Sequence, residues 1–329
     1  MIYRDLWRNP KWRAGALKWT ERRLAERDIR VTGKPAQFHV RPWSTVIRLP
    51  TDRGTVFFKA TCPAQRHEAA VTQALARWRA DDVSVVLGAD RRRGWLLLDD
   101  AGNRLRDVFR RDPSLRHWHA ILPRYAEMQI ALAPRAAELV RLGINDRRAV
   151  PLAKAYAGLL KDPSLLRVGL REGLTAAQHR ELRAAAPKVV DWYAEISAVA
   201  PDSLQHDDLH DGQVFLKEAR YRILDWGDAC VSHPLMSMSV VERSVAYTFD
   251  LKPGSPGVAR LRDVYLEPFT GLASAKRLRA AYPIALRLGW MSRALTWASL
   301  VAYLSLREKR KERGDVPRSL GRFLDPTAA

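Results

Sequence analysis

The chain has 329 residues, 47% of them hydrophobic, enough for one or two ordinary cores. No stretch approaches the roughly eighteen uninterrupted apolar residues that a membrane-spanning helix requires, so no membrane association is expected. The formal net charge is +20, but the positive residues are mostly Arg spread over nearly every predicted helix. That pattern reads as a solvated Arg-biased surface, with no aromatic-interleaved stripe or known module to make nucleic acid an expected partner.

The first residues interleave Arg4, Arg8, Lys11 and Arg13 with Trp7, Trp12 and Trp19, without the apolar core of a signal peptide. Asn9-Pro10 offers a helix cap with proline at the first helical position, and the spacing of Trp12, Ala16 and Trp19 predicts an amphipathic helix over residues 10–30. β-like runs follow at 37–40, 45–49 and 55–59, separated by the turns Arg41-Pro42-Trp43-Ser44 and Asp52-Arg53-Gly54. Helical spacing returns over Glu68, Val71, Thr72, Leu75 and Trp78. Two further strands, 83–87 and 95–98, flank the polar turn Arg91-Arg92-Arg93-Gly94.

After Asp99-Asp100-Ala101-Gly102 the pattern becomes mainly helical. Trp118, Ile121, Leu122, Tyr125, Met128 and Leu132 mark one long helix, and further helices are expected over 151–160, 175–199, 235–249, 258–282 and 284–311. A hairpin of 214–216 with 221–224 interrupts them. The expected organisation is an N-terminal helical extension (1–36) packing on the core, a β-rich domain (37–100) and a larger helical domain (101–329). Cys62 and Cys230 lack any paired-cysteine context, which predicts free thiols and a cytoplasmic protein. The dense basic run is Arg307, Lys309, Arg310, Lys311 and Arg313.

The most informative stretch is Gln205-His206-Asp207-Asp208-Leu209-His210-Asp211-Gly212-Gln213, followed by Ile223-Leu224-Asp225-Trp226-Gly227-Asp228. It supplies the carboxylate of Asp208, the amide oxygen of Gln213 five residues on and the carboxylate of Asp225 twelve beyond that. Phosphoryl transfer from a nucleotide needs such a set: one carboxylate to orient an attacking hydroxyl and two oxygen donors for magnesium. Between His206 and Asp228 six acids face only Lys217, Arg220 and Arg222, an acidic island in a basic chain that suits a divalent cation. Asp208 alone would read as a turn-forming loop residue; its offset to Gln213 and the strand leading into Asp225 favour catalysis. His206 and His210 lie in a loop without zinc-site spacing and are expected to brace it by hydrogen bonds.

Lys59 closes the apolar run Val56-Phe57-Phe58, where an ammonium can neutralise nucleotide phosphates if an acid such as Glu68 positions it. The competing reading is a lysine that ends an edge strand. There is no glycine-rich phosphate loop; Ser44 and Thr45 occupy the hairpin where one would lie and are the candidate phosphate contacts.

The spacing His206-x-Asp208-x-x-x-x-Gln213 is similar to the catalytic loop H-R-D-L-x-x-x-N of protein kinases, with Gln in place of Asn. Three strands, one helix and two strands follow the order of a kinase-like N-terminal lobe. Together these residues resemble the aminoglycoside phosphotransferase family, which also holds choline, fructosamine, maltose and glucosamine kinases. Its signature H-G-D-x-H-x-x-N is matched by His206 to Gln213, and its D-[FW]-x-x-A by Asp225-Trp226-Gly227-Asp228-Ala229.

The resemblance implies an α+β, bilobal protein-kinase-like fold with a small β-rich N-lobe and a larger, mainly helical C-lobe. It implies ATP and Mg2+ as cofactors and a small-molecule hydroxyl acceptor: a sugar, amino sugar, aminoglycoside or amino alcohol. It gives Asp208 the catalytic role, Gln213 and Asp225 the metal, and Lys59 with Glu68 the phosphates. The backbone of Leu98, Asp99, Asp100 and Ala101 corresponds to the hinge that binds adenine. Acceptor pockets of the family are built from C-terminal helices, here 235–311, where Glu242, Asp250, Asp263 and Glu267 could meet a cationic acceptor or simply be surface charges.

Two departures stand out. Asp207 replaces the usual Gly, adding charge beside the site, and Gln213 replaces the usual Asn, as in the maltose and glucosamine kinases. With the missing glycine-rich loop and the +20 charge, they support an alternative: a catalytically inactive kinase-like scaffold, possibly for nucleic acid.

Overall fold

Asn9 and Pro10 begin the second helix of the chain as their chemistry dictates: the Asn9 side chain accepts from the backbone N–H groups of Lys11 and Trp12, and Pro10 fills the first helical position. In the computed structural model, which describes residues 2–252, 254–312 and 314–325, this helix spans Pro10–Ala25 rather than 10–30. It stops early because Asp28 turns left-handed (φ 54°) and the Ile29 N–H closes back onto Leu24 O at 3.1 Å. Arg313 of the basic run and residues 326–329 lie outside the described residues.

The chain divides into two compact units. The first holds residues 1–103, 215–227 and 300–311. Its centre is an antiparallel five-stranded sheet of β1 (Ala36–Val40), β2 (Ser44–Thr51), β3 (Gly54–Thr61), β4 (Val86–Asp90) and β5 (Trp95–Asp99), in the order β1-β2-β3-β5-β4. β4 starts at Val86 rather than Val83: Val83 is a bend, and Ser84 and Val85 meet β5 only at Asp99, whose C=O accepts from the Ser84 hydroxyl and whose N–H donates to Val85 O. Trp7, Ala16, Trp19 and Leu24 form one apolar cluster with Ile47, Leu49, Val56, Phe58, Trp95 and Leu97 of the sheet. The aromatic contacts are edge-on, Trp19 lying 5.7 Å from Trp95 and 5.9 Å from Phe58. The N-terminal tryptophans thus serve packing.

The hairpin Val214–Lys217 with Arg220–Ile223 turns through Glu218 and Ala219, both at positive φ as a tight two-residue turn demands. Residues 215–227 belong with the β-rich unit rather than with the helices on either side of them in sequence. Hydrogen bonding is the cause: the Ile223 N–H donates to Asp82 O at 2.8 Å, and the Lys217 side chain donates through Nζ to Asp100 O at 3.1 Å.

The second unit holds residues 104–214, 228–299 and 312–329. The expected helix 175–199 is two, Ala176–Ala185 and Val189–Ser197, because Pro187 sits in a 3-10 turn between them. Conversely, Pro283 does not divide the C-terminal helices as expected. It lies inside the helix Ala275–Val301, carried through by buried Leu278, Tyr282, Ala285 and Leu288 on both sides, and the break falls instead after Pro256–Leu266. A small sheet that sequence periodicity did not reveal pairs Cys230–Ser232 with Asn145–Asp146 (parallel) and Ser203–Gln205 (antiparallel). No helix among the described residues is long and apolar enough to cross a membrane.

Candidate active site

The strand Ser203–Gln205 is fully buried and delivers the chain into the loop His206–Gln213. His206 is buried and its N–H donates to Tyr125 Oη at 3.0 Å, which pins the loop entrance to the helix Arg116–Leu132. Asp207 takes φ 62°, the left-handed conformation that favours glycine. Its carboxylate turns inward, accepting from Gln205 Nε2 at 3.0 Å and Thr296 Oγ1 at 2.5 Å. Burial, only partly opposed by Arg293, pushes this carboxyl up to about 7. The extra acid expected beside the site is therefore sunk beneath it.

Asp208 remains partly exposed, with Oδ1 2.8 Å from Arg293 Nη2 and Oδ2 3.7 Å from His210 Nε2. His210 Nδ1 accepts the Gly212 N–H at 2.9 Å. A Cβ at residue 212 would lie 2.6 Å from the imidazole, so only glycine fits this turn. Asp211 is nearly buried; burial raises its carboxyl, but His210 beside it and a forked grip by Arg106 hold it down at about 2. The Gln213 amide lies 3.4 Å from His210 Nε2. His210 thus braces the loop through its imidazole, as expected, whereas His206 holds it through its backbone N–H.

Arg293 is the residue that sequence reasoning missed. It is 7% exposed on the helix Ala275–Val301 and bridges Asp208 and Asp228, the latter at 2.6 Å, while stacking 5.0 Å from Trp297. One signal was available. A guanidinium within Trp290-Met291-Ser292-Arg293-Ala294-Leu295 has no reason to enter a core unless carboxylates meet it.

In the β-rich unit, Lys59 on β3 is 9% exposed and Glu68 opens the helix Glu68–Trp78 at 2%. Lys59 Nζ donates to Glu68 Oε1 at 2.7 Å and to Asp225 Oδ1 at 2.5 Å. Burial acts to lower the ammonium, but the two carboxylates outweigh it and keep Lys59 firmly charged. Asp225 sits at φ 67° just past the strand Arg220–Ile223, and its side chain is 40% exposed. Trp226, fully buried, donates to Ile223 O and anchors the segment.

Ser44 and Thr45 are buried in β2, where Thr45 Oγ1 donates to His39 O at 2.7 Å and accepts from Gln37 Nε2, and Ser44 Oγ lies 3.3 Å from His39. Their hydroxyls close the β1–β2 hairpin rather than pointing outward. In the segment Leu98 to Ala101, the Asp99 N–H and C=O and the Asp100 C=O are engaged within the unit. The Ala101 backbone makes no hydrogen bond among the described residues.

No protein-family model matches the chain, and no curated protein matches it in sequence. Solved structures do. A type I macrolide 2'-phosphotransferase aligns over 95% of this chain and 97% of its own at TM-score 0.55 and 16% identity. An ethanolamine kinase of Plasmodium vivax aligns over 89% and 82% at TM-score 0.62 and 11% identity. A choline kinase of Streptococcus pneumoniae covers 94% and 98% at TM-score 0.60 and 11% identity. The fold is that of the aminoglycoside phosphotransferases and choline kinases. It is an α+β, bilobal kinase-like fold with a smaller β-rich and a larger helical unit.

Proposed function

We propose that the chain is a small-molecule kinase that moves the γ-phosphoryl group of ATP to a hydroxyl of its acceptor. The observation that carries this reading is the Lys59 ammonium, buried and held between Glu68 and Asp225. Burying the charges of Lys59 and Glu68 is costly, and apolar residues of the same size often stabilise a core as well or better. A scaffold has no need of the arrangement, whereas a phosphate-binding lysine has to be held charged and in place. The comparison proteins are named for phosphotransfer to macrolides, ethanolamine and choline, which supports the same reaction class here.

In this reading Lys59 binds the nucleotide phosphates, and the free backbone groups of Ala101 meet adenine. Asp208 orients the acceptor hydroxyl. A bond forms from the hydroxyl oxygen to the γ-phosphorus, the bond from that phosphorus to the bridging oxygen of ADP breaks, and the hydroxyl proton passes to the Asp208 carboxylate. Arg293, paired with Asp208 Oδ1, fixes the carboxylate's orientation.

The carboxylate of Asp225 and the amide oxygen of Gln213 are hard oxygen donors of the kind magnesium takes. Magnesium usually has only one or two protein carboxylates besides phosphates and water. The donor chemistry therefore fits Mg2+, although no cluster of three or more His, Cys, Asp or Glu side chains suited to a metal occurs among the described residues. When bound, the ion would neutralise charge on the phosphates.

Calorimetric titration with ATP and magnesium tests the nucleotide half. Lys59→Met is expected to weaken binding by roughly 10- to 100-fold, the equivalent of a lost charge-assisted hydrogen bond. Undiminished ATP binding by a folded Lys59→Met protein would remove the observation on which the reading stands.

A further inference from the structure

The helical unit contains a cavity of about 280 Å3 that opens on Asp208. It lies below the roughly 300–1,000 Å3 of pockets that enclose drug-sized ligands, so its occupant is compact. Its wall is basic. Arg106, Arg243, Arg293, Arg318 and Arg322 line it against only two acids, Asp208 and Asp315.

Three of these guanidiniums have carboxylate partners. Arg106 grips Asp211, Arg293 bridges Asp208 and Asp228, and Arg318 Nη1 lies 2.7 Å from Asp315 Oδ1. Arg243 and Arg322 make no salt bridge among the described residues, although Asp315 attracts Arg322 from beyond salt-bridge distance. Arg322 Nε is buried without a hydrogen-bond acceptor, and its guanidinium lies 4.9 Å from the Trp290 ring. Burial, then repulsion from Arg243 and Arg318, only partly offset by Asp315, pushes Arg322 down to about 10, an unusual value for an arginine. The acids that could have met a cationic acceptor lie elsewhere. Glu242 accepts from Tyr282 Oη at 2.6 Å, Asp263 pairs with Arg262 and Arg279, and none of Glu242, Asp250, Asp263 and Glu267 lines this cavity. A larger cavity of about 660 Å3 in the same unit includes no residue of the loop His206–Gln213.

Resting on the kinase reading above, we infer that the acceptor is a compact anion: a hydroxylated molecule bearing a carboxylate or phosphate group bound by Arg243 and Arg322, with its hydroxyl turned to Asp208. Two unpaired guanidiniums in one partly buried wall repel each other, and an anion's oxygens supply what the protein leaves out. Trp297, partly buried beside Arg293, offers an aromatic face for the rest of the molecule.

Binding and transfer separate this inference from the reading it rests on. Glucose, glucosamine, glucuronate and glucose 6-phosphate are titrated by calorimetry into the wild type, Arg243→Gln, Arg322→Gln and the double variant, without nucleotide. The expected result is saturable binding of at least one of the two anions in preference to glucose and glucosamine. Each single substitution weakens it by roughly 10- to 100-fold, at a melting temperature no lower than wild type because repulsion is relieved. Preference for glucuronate or for glucose 6-phosphate identifies the charged group. Absence of anion binding, preference for glucosamine, or anion affinity unchanged in the double variant overturns the inference. ADP release with ATP and magnesium is followed separately: anion binding without transfer defeats the kinase reading alone, and transfer to neutral or cationic acceptors defeats the anion alone.

Discussion

Asp207 shows how one residue can meet two opposing demands. Its backbone takes the left-handed turn that the loop requires, and its side chain is buried to stitch the loop to Thr296. Burial raises the carboxyl from its ordinary 3.8 to about 7. A group whose pKa is raised by folding stabilises the native state fully below its unfolded value, and that contribution is lost as pH rises through the folded value. Asp207→Asn keeps the shape and removes the titration. Its stability relative to wild type is expected to climb between about pH 4 and pH 7, by as much as roughly 4 kcal/mol. Urea unfolding across that range checks this, and a difference that does not vary with pH would contradict it. From sequence, the Lys59–Glu68 pair was legible and Asp208 stood out as a candidate, because their residue types and spacing name a chemistry. The inward turn of Asp207 was not, because its partner Thr296 lies 89 residues away.

At the scale of elements, the helix Ala275–Val301 carries more of the site than its sequence announced. It contributes Trp290, Arg293 and Trp297 to the cavity wall and Thr296 to Asp207. Its position depends on Gly289, where a Cβ would come within 2.4 Å of Met236 O and 2.5 Å of Ser239 Oγ. Gly289→Ala is accordingly expected to destabilise by about 1–3 kcal/mol, although alanine is the better helix former. Thermal unfolding is the check, and an unchanged or raised midpoint would refute that close crossing. Elements defined by local chemistry were readable: the Asn9-Pro10 cap, the Gly94 turn and the β2–β3 hairpin. The helix boundaries at Pro187 and Pro283 were misread in opposite directions, because packing on both sides of a proline decides whether the helix survives it.

Over the whole molecule, the order of strands and helices was enough to anticipate the kinase-like fold, since alternation in the first hundred residues gives way to helical periodicity. The grouping of residues 215–227 with the β-rich unit was hidden, because it depends on pairing across more than a hundred residues of intervening chain. The +20 charge first read as a diffuse surface property. Part of it is concentrated in the wall beside Asp208, the observation on which the proposal of an anionic acceptor rests.

The central claim is that Asp208 serves phosphoryl transfer, and the most direct test is acceptor-stimulated ADP release from ATP and magnesium by the wild type and Asp208→Asn. The account predicts that the wild type responds to an anionic hydroxyl acceptor. The variant should still bind ATP while losing roughly 100- to 10,000-fold in turnover, the usual contribution of a positioned acid–base group. Equal acceptor-stimulated turnover in both proteins would contradict it.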